Sequence, residues 1–307
     1  MLDRYNREIN YLRISVTDLC NYRCKYCMKE DGIILNHHQE IISYEEIQRL
    51  VIFLAKKGIN KIRISGGEPL VRKDIDQLFY LLKDVEGIKE KGLTTNGSLL
   101  DKHLTVLKEC GFTTINISLD TLNEDKYYQI TRRGNLKKVL QNIDLAIQNF
   151  AKVKINVVYI KGFNDDEIDQ FIEFAKTKKV IVRFIELMPI GEGKNFNYSS
   201  LDEIINNHCD LVKIKDDGVS ELYKTSDDQG LIGFIRPLSH TFCHRCNKLR
   251  LTSLGKIKPC LFSNEEIDVK GLSDDSLEEV FNNILQNKPI NKENVQLTTR
   301  TMNEIGG

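Results

Sequence analysis

Three cysteines near the amino terminus have the spacing of a metal-cluster site. Cys20, Cys24 and Cys27 form a C-x3-C-x2-C triplet after a short apolar stretch, and no fourth cysteine follows within 80 residues. Three thiolates can hold three irons of a 4Fe-4S cluster and leave the fourth iron open to a ligand that is not protein. A structural zinc site needs a closed set of four protein ligands. The nearest candidates for a fourth ligand, His37 and His38, begin ten residues beyond the triplet. The spacing therefore favours a 4Fe-4S cluster whose open iron is the site of the reaction.

A second triplet lies near the carboxyl end of the chain. Cys243 and Cys246 form a C-x2-C pair, and Cys260 follows 14 residues later. Again there are three thiolates, which suits a second cluster. His240 or His244 could instead complete a Cys3His zinc site at plausible spacing, so the spacing alone leaves both interpretations open.

The composition restricts the class of protein. The chain has 307 residues, 44 basic and 44 acidic side chains and 41% hydrophobic residues, which suits one large globular domain with an appendage. No apolar run approaches membrane-spanning length, and the first residues lack the apolar core of a signal peptide. We therefore expect a cytoplasmic protein whose reduced cysteines are available for metal. Balanced charge argues against broad attraction to nucleic acid or membranes, so an anionic ligand needs a local basic pocket.

The order of predicted elements points to a fold class. Six β-rich runs alternate with amphipathic helical patterns, at 11–16, 61–65, 92–95, 114–119, 154–160 and 180–186. Such alternation predicts a parallel sheet with crossover helices. Six strand–helix units are too few for a closed eight-stranded barrel, which leaves a doubly wound sheet or an incomplete, open β/α barrel of TIM-like type. In either fold the reactive centre lies at the carboxyl ends of the strands, where the first cysteine triplet also falls.

The pattern changes after residue 186. We predict a loop over 187–199, a helix over 202–208, short strands over 211–214 and 231–236, and a last helix over 273–286. The chain is therefore divided into a barrel region, 1–186, and a carboxyl-terminal region, 187–307. The second region contains β-structure, carries the later triplet and is expected to cover the open mouth of the barrel. On general grounds its glycine-ended tail would be frayed.

Polar residues recur where the predicted strands end. The runs are Ser65-Gly66-Gly67-Glu68-Pro69, Thr94-Thr95-Asn96-Gly97 and Ser118-Leu119-Asp120. A glycine pair lets the backbone pass close to a ligand. Each hydroxyl or amide could by itself be a helix cap or turn residue. Their recurrence beside a metal cluster predicts the wall of a small-molecule site.

Together these motifs resemble the radical S-adenosylmethionine (SAM) superfamily. The resemblance rests first on two segments, Cys20-Asn21-Tyr22-Arg23-Cys24-Lys25-Tyr26-Cys27 and Gly66-Gly67-Glu68-Pro69. The later triplet and the double-glycine end narrow the resemblance to the GTP 3',8-cyclase family of lyases, which begins molybdenum cofactor biosynthesis. Further segments that carry it lie at 12–15, 62–65, 183–189 and 242–247.

The resemblance implies an activity and its cofactors, two 4Fe-4S clusters and SAM. The first triplet would hold the cluster that cleaves SAM to a 5'-deoxyadenosyl radical. The second would hold a cluster whose open iron binds guanine. The radical would take hydrogen from C3' of GTP, and C3' would then attack C8 to give (8S)-3',8-cyclo-7,8-dihydroguanosine 5'-triphosphate.

The resemblance also implies roles for individual residues. Those expected to contact SAM are Tyr26, Gly67, Glu68, Ser118 and Met188. Those expected to contact GTP are Arg13, Arg63, Thr94, Lys154, Arg183, Lys248, Leu249 and Arg250. The family usually has arginine at Lys248, so a bidentate contact is lost there unless Arg245 replaces it. Gly306 and Gly307 are expected to enter the barrel and assist turnover, against the general expectation of a frayed tail.

Two other classes of protein stay open at this stage. One is a different radical SAM enzyme with an auxiliary cluster, such as a peptide-modifying maturase, and GTP binding would separate it from a cyclase. The other is a non-enzymatic zinc-binding module. For a cyclase the expected partners are a reducing electron donor, a downstream pterin-forming synthase and a second copy of the chain, with no nucleic acid and no membrane.

Overall fold

Six parallel strands form the centre of the sheet, in the order in which they occur along the chain. They are β1 (Tyr11–Ser15), β2 (Lys61–Ser65), β3 (Glu90–Thr95), β4 (Phe112–Ser118), β5 (Lys152–Tyr159) and β6 (Ile181–Glu186). Each strand pairs in parallel with the next. A doubly wound sheet reverses its strand order, so this sequential order excludes that alternative. The predicted incomplete barrel is confirmed.

Strands from the carboxyl-terminal region extend both edges of this sheet. They are β7 (Leu211–Asp217), β8 (Ser220–Thr225), β9 (Leu231–Ile235), β10 (Lys248–Leu251), β11 (Lys256–Lys258) and β12 (Ile267–Asp268). β9 pairs in parallel with β6, and β10 pairs in parallel with β1. Antiparallel partners then continue outward to β7 on one side and β12 on the other. The resulting 12-stranded sheet is open, with β7 and β12 at its edges.

The register of β10 determines which end of the barrel receives the second triplet. Lys248 pairs with Tyr11 at the start of β1, and Cys246 lies two residues before Lys248. The second triplet therefore adjoins the amino-terminal end of the barrel, whereas Cys20 follows the carboxyl end of β1. The region that carries the late cysteines is expected to cover the open mouth of the barrel, but these cysteines themselves lie at the opposite end. The first and last residues of β1, Tyr11 and Ser15, are four residues apart, which corresponds to about 13 Å at the usual rise per residue.

Eight helices accompany the strands in the described parts of the chain. They are α1 (Tyr44–Lys56), α2 (Ile75–Leu81), α3 (Leu104–Glu109), α4 (Glu124–Thr131), α5 (Leu136–Asn149), α6 (Ile168–Lys178), α7 (Asp202–Asn207) and α8 (Asp274–Asn287). Ser43 caps α1 by accepting the N–H of Glu46 at 3.1 Å. The Glu46 carboxylate forms an ion pair with Arg49, one turn further along the same helix.

Alternation along the strands separates an apolar face from a polar one. In β1, Leu12 and Ile14 are fully buried in the hydrophobic core, and Tyr11, Arg13 and Ser15 belong to the opposite face. β2 repeats the pattern, with two buried isoleucines flanking Arg63. The polar face of these strands is the inner face of the barrel. Because it is polar, it does not form a second hydrophobic core and is available to a ligand.

The computed structural model describes residues 1–33, 39–208, 211–227, 229–293 and 295–306. The sequence predictions for His37, His38 and Gly307 fall outside these ranges. Within the described ranges, no helix is both long enough and apolar enough to cross a membrane.

Candidate active site

A cavity opens at the carboxyl ends of the central strands. Its wall contains the first cysteine triplet and most of the strand-end residues singled out in the sequence. The lining residues used below are Cys20, Cys24, Cys27, Tyr26, Gly67, Thr94, Asn96, Ser118, Asn156, Glu186, Met188, Met302 and Asn303. Four of the five residues expected to contact SAM are among them.

The first triplet is half-buried in this wall, and its surroundings suit sulfur ligands. The Tyr22 N–H donates to Cys20 Sγ at 3.4 Å, and the Asn96 side-chain amide lies 3.9 Å from the same sulfur. N–H donors to cysteine sulfur are a common feature of iron–sulfur sites. Burial raises the pKa of both Cys20 and Cys27 to about 12. The thiols are therefore protonated without metal, and cluster insertion must release those protons.

Tyr26 is fixed by a buried carboxylate. Its hydroxyl donates to Asp120 Oδ2 at 2.6 Å, and the Val158 N–H donates to the other carboxylate oxygen at 2.9 Å. Burial raises the pKa of Asp120 to about 6. Because Tyr26 lies between Cys24 and Cys27, this contact ties the cysteine loop to the ends of β4 and β5. The sequence analysis noted Asp120 only as a strand-end residue.

Glu68 is fully buried and is not among the cavity-lining residues. Its carboxylate accepts the Thr95 hydroxyl at 2.8 Å and the N–H groups of Asn96 and Leu70 at 2.6 and 3.1 Å. Burial nevertheless raises the pKa of Glu68 to about 7. This geometry joins the ends of β2 and β3, and a role for Glu68 in SAM binding stays a prediction. Gly67 itself lines the cavity.

The inner face of the barrel is strongly basic. Arg13 pairs in register with Arg250 on one side and with Arg63 on the other, so three guanidinium groups occupy one level of adjacent strands. Burial, with a contribution from Arg250, lowers the pKa of Arg13 to about 9. Burial also lowers the pKa of Lys248 to about 8. Cations that are buried and repel one another form a site that a multiply charged anion would stabilise.

Two glycines make room for the arginines of this face. A Cβ at Gly92 would lie 2.6 Å from the Arg63 guanidinium, and one at Gly233 would lie 2.9 Å from Arg183 Cγ. Each glycine is the strand neighbour of the arginine in question. The sequence analysis did not single out either glycine, because the need for space arises from pairing between strands.

Three further residues expected to bind GTP, Lys154, Arg183 and Thr94, lie outside this level of three arginines. Lys154 and Arg183 are buried on β5 and β6, and Arg183 Nε donates to Asn156 Oδ1 at 3.0 Å. The hydroxyl of Thr94 is buried and has no hydrogen-bond partner among the described residues. Such a group fits a polar ligand in the cavity that Thr94 lines.

The neighbours of Lys248 show what replaces the family arginine. Leu249 is fully buried in the hydrophobic core, so its side chain lies on the face opposite Lys248 and Arg250. Arg245 forms an ion pair with Asp216 on β7 and is 40% exposed. Arg245 therefore does not replace the missing guanidinium. The charge at this position comes from Lys248 itself, which lies 5.5 Å from the Tyr11 ring centre.

The second triplet has a different electrostatic environment from the first. Burial raises the pKa of Cys24 well above its usual value, with further contributions from Cys27 and Asp120. Burial would also raise the pKa of Cys246, but the charges of Lys288 and Lys248 lower it below its usual value. Carboxylates thus lie near Cys20 and Cys24 of the first triplet, and lysines lie near Cys246 of the second.

Both triplets supply thiol donors that fit iron–sulfur clusters. Among the residues that the structure describes, no three Cys, His, Asp or Glu side chains converge closely enough to hold a single metal ion. A cluster binds each thiolate through a different iron, so its cysteines need not meet at one point. Cys243, Cys246 and Cys260 are all half-buried and free of disulfides.

The described part of the tail lies inside the barrel. Ile305 is 1% exposed, and the carbonyl of Gly306 accepts Arg250 Nη1 at 3.1 Å. The Asn303 side chain donates to the Asp18 carbonyl at 3.1 Å, beside the first cysteine loop. Further back, Arg300 Nη2 binds Glu266 Oε2 at 2.7 Å. The tail therefore runs from the cavity wall to the basic inner face.

Two family models match consecutive parts of the chain. The model for the radical SAM superfamily matches residues 14–175, and the model for Molybdenum Cofactor Synthesis C matches residues 180–294. The solved structure of Streptococcus suis SuiB bound to S-adenosylmethionine has a similar fold. Its TM-score is 0.66 at 16% identity, covering 92% of this chain and 67% of that chain. The fold and the first triplet together define a radical SAM protein.

Curated relatives give a finer assignment. A GTP 3',8-cyclase of Clostridium botulinum (strain Langeland) is 46% identical over 319 residues, covering 100% of both chains. A GTP 3',8-cyclase of Alkaliphilus metalliredigens is 45% identical over 322 residues, again covering 100% of both. The chain belongs to the GTP 3',8-cyclase family. This assignment sets aside both the zinc-binding module and the peptide-modifying maturase.

Proposed function

We propose that this chain is a GTP 3',8-cyclase, which converts GTP and SAM to the 3',8-cyclised nucleotide at the start of molybdenum cofactor biosynthesis. The observation that carries the proposal is the buried basic face between two cysteine triplets at opposite ends of one barrel. A triphosphate fits this face because its negative charges would balance the positive charges that Arg13, Arg63 and Arg250 bring to one level of the barrel.

The residues at the carboxyl end of the barrel hold SAM. When bound there, the first cluster supplies the electron that cleaves SAM to a 5'-deoxyadenosyl radical. Gly67 presents backbone without a side chain, and Tyr26, Ser118 and Met188 supply the wall. A Cβ at Gly67 would lie 2.3 Å from the Leu19 carbonyl, so the tight approach of these two loops depends on glycine.

The residues deeper in the barrel hold GTP in one orientation. The basic inner face binds the phosphates, and the second triplet positions the base beside the amino-terminal end of β10. Walls and fixed charges hold the ribose in place and exclude water. This matters because a primary carbon radical takes any hydrogen within reach.

Replacing Arg250 with Ala should weaken GTP binding by about 1.5 to 3 kcal/mol, or about 10- to 150-fold in Kd. The substitution removes a guanidinium from the buried face, where a charge-assisted hydrogen bond is strong. Calorimetric titration of the anaerobic protein with GTP measures the change. Lys248→Arg should bind GTP as well as or better than the unmodified chain, since it restores the planar fork.

Arg245→Ala is the matched control for this experiment. It removes an arginine from the same region, but that arginine is paired with Asp216 away from the basic face, so GTP affinity should stay within twofold. Equal affinities of the unmodified protein for GTP and for guanosine would contradict a triphosphate pocket.

Further parts of the proposal come from the family. We assign residues 1–186 to radical formation and residues 187–307 to base binding and the tail, a division close to the boundary between the two matching models. We assign the residues named for SAM and GTP, and the tail glycines, the roles that the family implies. For Glu68, whose carboxylate is held by protein donors, and for Leu249, whose side chain lies in the core, only the family position supports the role. An external electron donor, a downstream pterin-forming synthase, a homodimer and a cytoplasmic location complete the proposal.

A further inference from the structure

A fully buried lysine lies beside the second cysteine triplet. Lys288 follows the end of α8 and is 1% exposed. Its ammonium donates to the carbonyl of Lys248 at 2.8 Å and to the carbonyl of Pro259. Lys248 is two residues from Cys246, and Pro259 immediately precedes Cys260. One side chain therefore joins the segments that carry two of the three cysteines.

Arg7 holds the third segment in the same manner. Its Nη1 donates to the Cys243 carbonyl at 2.8 Å, and its Nη2 donates to the carbonyl of Pro289, also at 2.8 Å. An ion pair with Asp3 at 2.6 Å neutralises this guanidinium. Arg7 thus links Cys243 to the chain just after Lys288. Arg7 and Lys288 together connect all three cysteine segments from outside the triplet.

The two cations differ in how their charge is balanced. Arg7 has Asp3 as a carboxylate partner, whereas the two acceptors that the structure gives Lys288 are neutral carbonyls. A buried cation without a carboxylate is costly unless another negative charge lies close by. The thiolates of the second triplet, and a cluster bound to them, provide that charge.

We propose that Lys288 is a positioning residue of the second cluster, which joins its cysteine segments and raises its reduction potential through a fixed positive charge. This inference rests on the proposed function, because it requires a cluster at the later triplet. Reduction adds negative charge to a cluster, and a buried cation nearby stabilises the reduced state. The first triplet instead lies near the carboxylates of Glu68 and Asp120.

The test compares reduction potentials in the full-length chain. All variants carry Cys24→Ala, so that the remaining cluster signal belongs to the second triplet. Lys288→Met removes the charge at similar size, and Lys288→Gln removes the charge but keeps a hydrogen-bond donor. Lys91→Met is the matched control, since Lys91 is also buried and its ammonium also donates to two carbonyls, that of Cys110 at 3.1 Å and that of Lys83, just beyond the ends of α3 and α2 and outside both triplets. Each protein is reconstituted anaerobically and titrated by EPR against a series of redox mediators, with iron and circular dichroism measured in parallel.

Both Lys288 variants should shift the midpoint potential to more negative values, and Lys91→Met should not. Lys288→Met should also lose more iron than Lys288→Gln. Loss of iron from both Lys288 variants, with an unchanged circular dichroism spectrum and iron retained by Lys91→Met, supports the positioning role. Iron retained with an unchanged potential overturns the inference. If the Cys24→Ala parent holds zinc at the later triplet instead, the proposed two-cluster function itself fails, so the two failures are distinguishable.

Discussion

Cys24→Ala should abolish reductive cleavage of SAM, whereas Cys246→Ala should still cleave SAM but form no cyclised nucleotide. The reason is the separation of the triplets. Cys24 lines the cavity at the carboxyl ends of the strands, and Cys246 precedes β10 at the other end of the barrel. Without the first site no radical forms, and without the second the base is no longer held. Chromatography of 5'-deoxyadenosine and of the cyclised product, after anaerobic reconstitution and reduction, measures both.

Cys110→Ala is the control for the loss of a thiol. Cys110 is fully buried at the end of α3, in the hydrophobic core and outside both triplets. Its replacement should leave both products close to the unmodified level. Equal loss of SAM cleavage in Cys24→Ala and Cys246→Ala, in folded protein, would contradict the separate roles of the two triplets.

Gly306→Ala should lower the yield of cyclised product at least tenfold while leaving the iron content unchanged. Gly306 has φ +64°, and an added Cβ would lie 2.6 Å from Ser65 Oγ and 3.1 Å from Ser15 Cβ. The tail would have to move away from Arg250, whose side chain binds the Gly306 carbonyl. Backbone strain alone costs about 1 to 2 kcal/mol, so a control must separate this strain from the clash inside the barrel.

Gly271→Ala isolates the effect of strain from that of the clash. Gly271 has φ +71°, and a Cβ there would meet no atom within 4 Å. The two variants therefore introduce the same backbone strain, but only one introduces a clash in the site. Product yields and iron contents of both should be measured side by side. Similar activity in the two variants would show that the tail has no role in turnover.

The central strands and the cysteine sites could be predicted from the sequence because their signals are local. The six strands were located within two residues of their observed ends. The basic face can also be read from alternation, since Leu12 and Ile14 flank Arg13 in β1. These features depend on neighbours in the chain, and the alternation of side chains in a strand is fixed.

Features that depend on pairing between distant segments could not be predicted. The place of the second triplet follows from the register of β10 on β1, across more than two hundred residues. The space that Gly92 provides for Arg63 exists only once β2 and β3 are adjacent. Likewise, the sequence does not reveal that Glu68 turns toward protein donors or that Lys288 reaches the later cysteines.

The most direct test of the proposed activity uses GTP carrying deuterium at C3'. The reconstituted protein is reduced anaerobically with SAM and this substrate, and the 5'-deoxyadenosine is analysed by mass spectrometry. We expect deuterium to be transferred to 5'-deoxyadenosine, together with a cyclised nucleotide that has lost it. Unlabelled 5'-deoxyadenosine, formed at the same rate with and without GTP and with no cyclised nucleotide, would contradict the assignment of this chain as a GTP 3',8-cyclase.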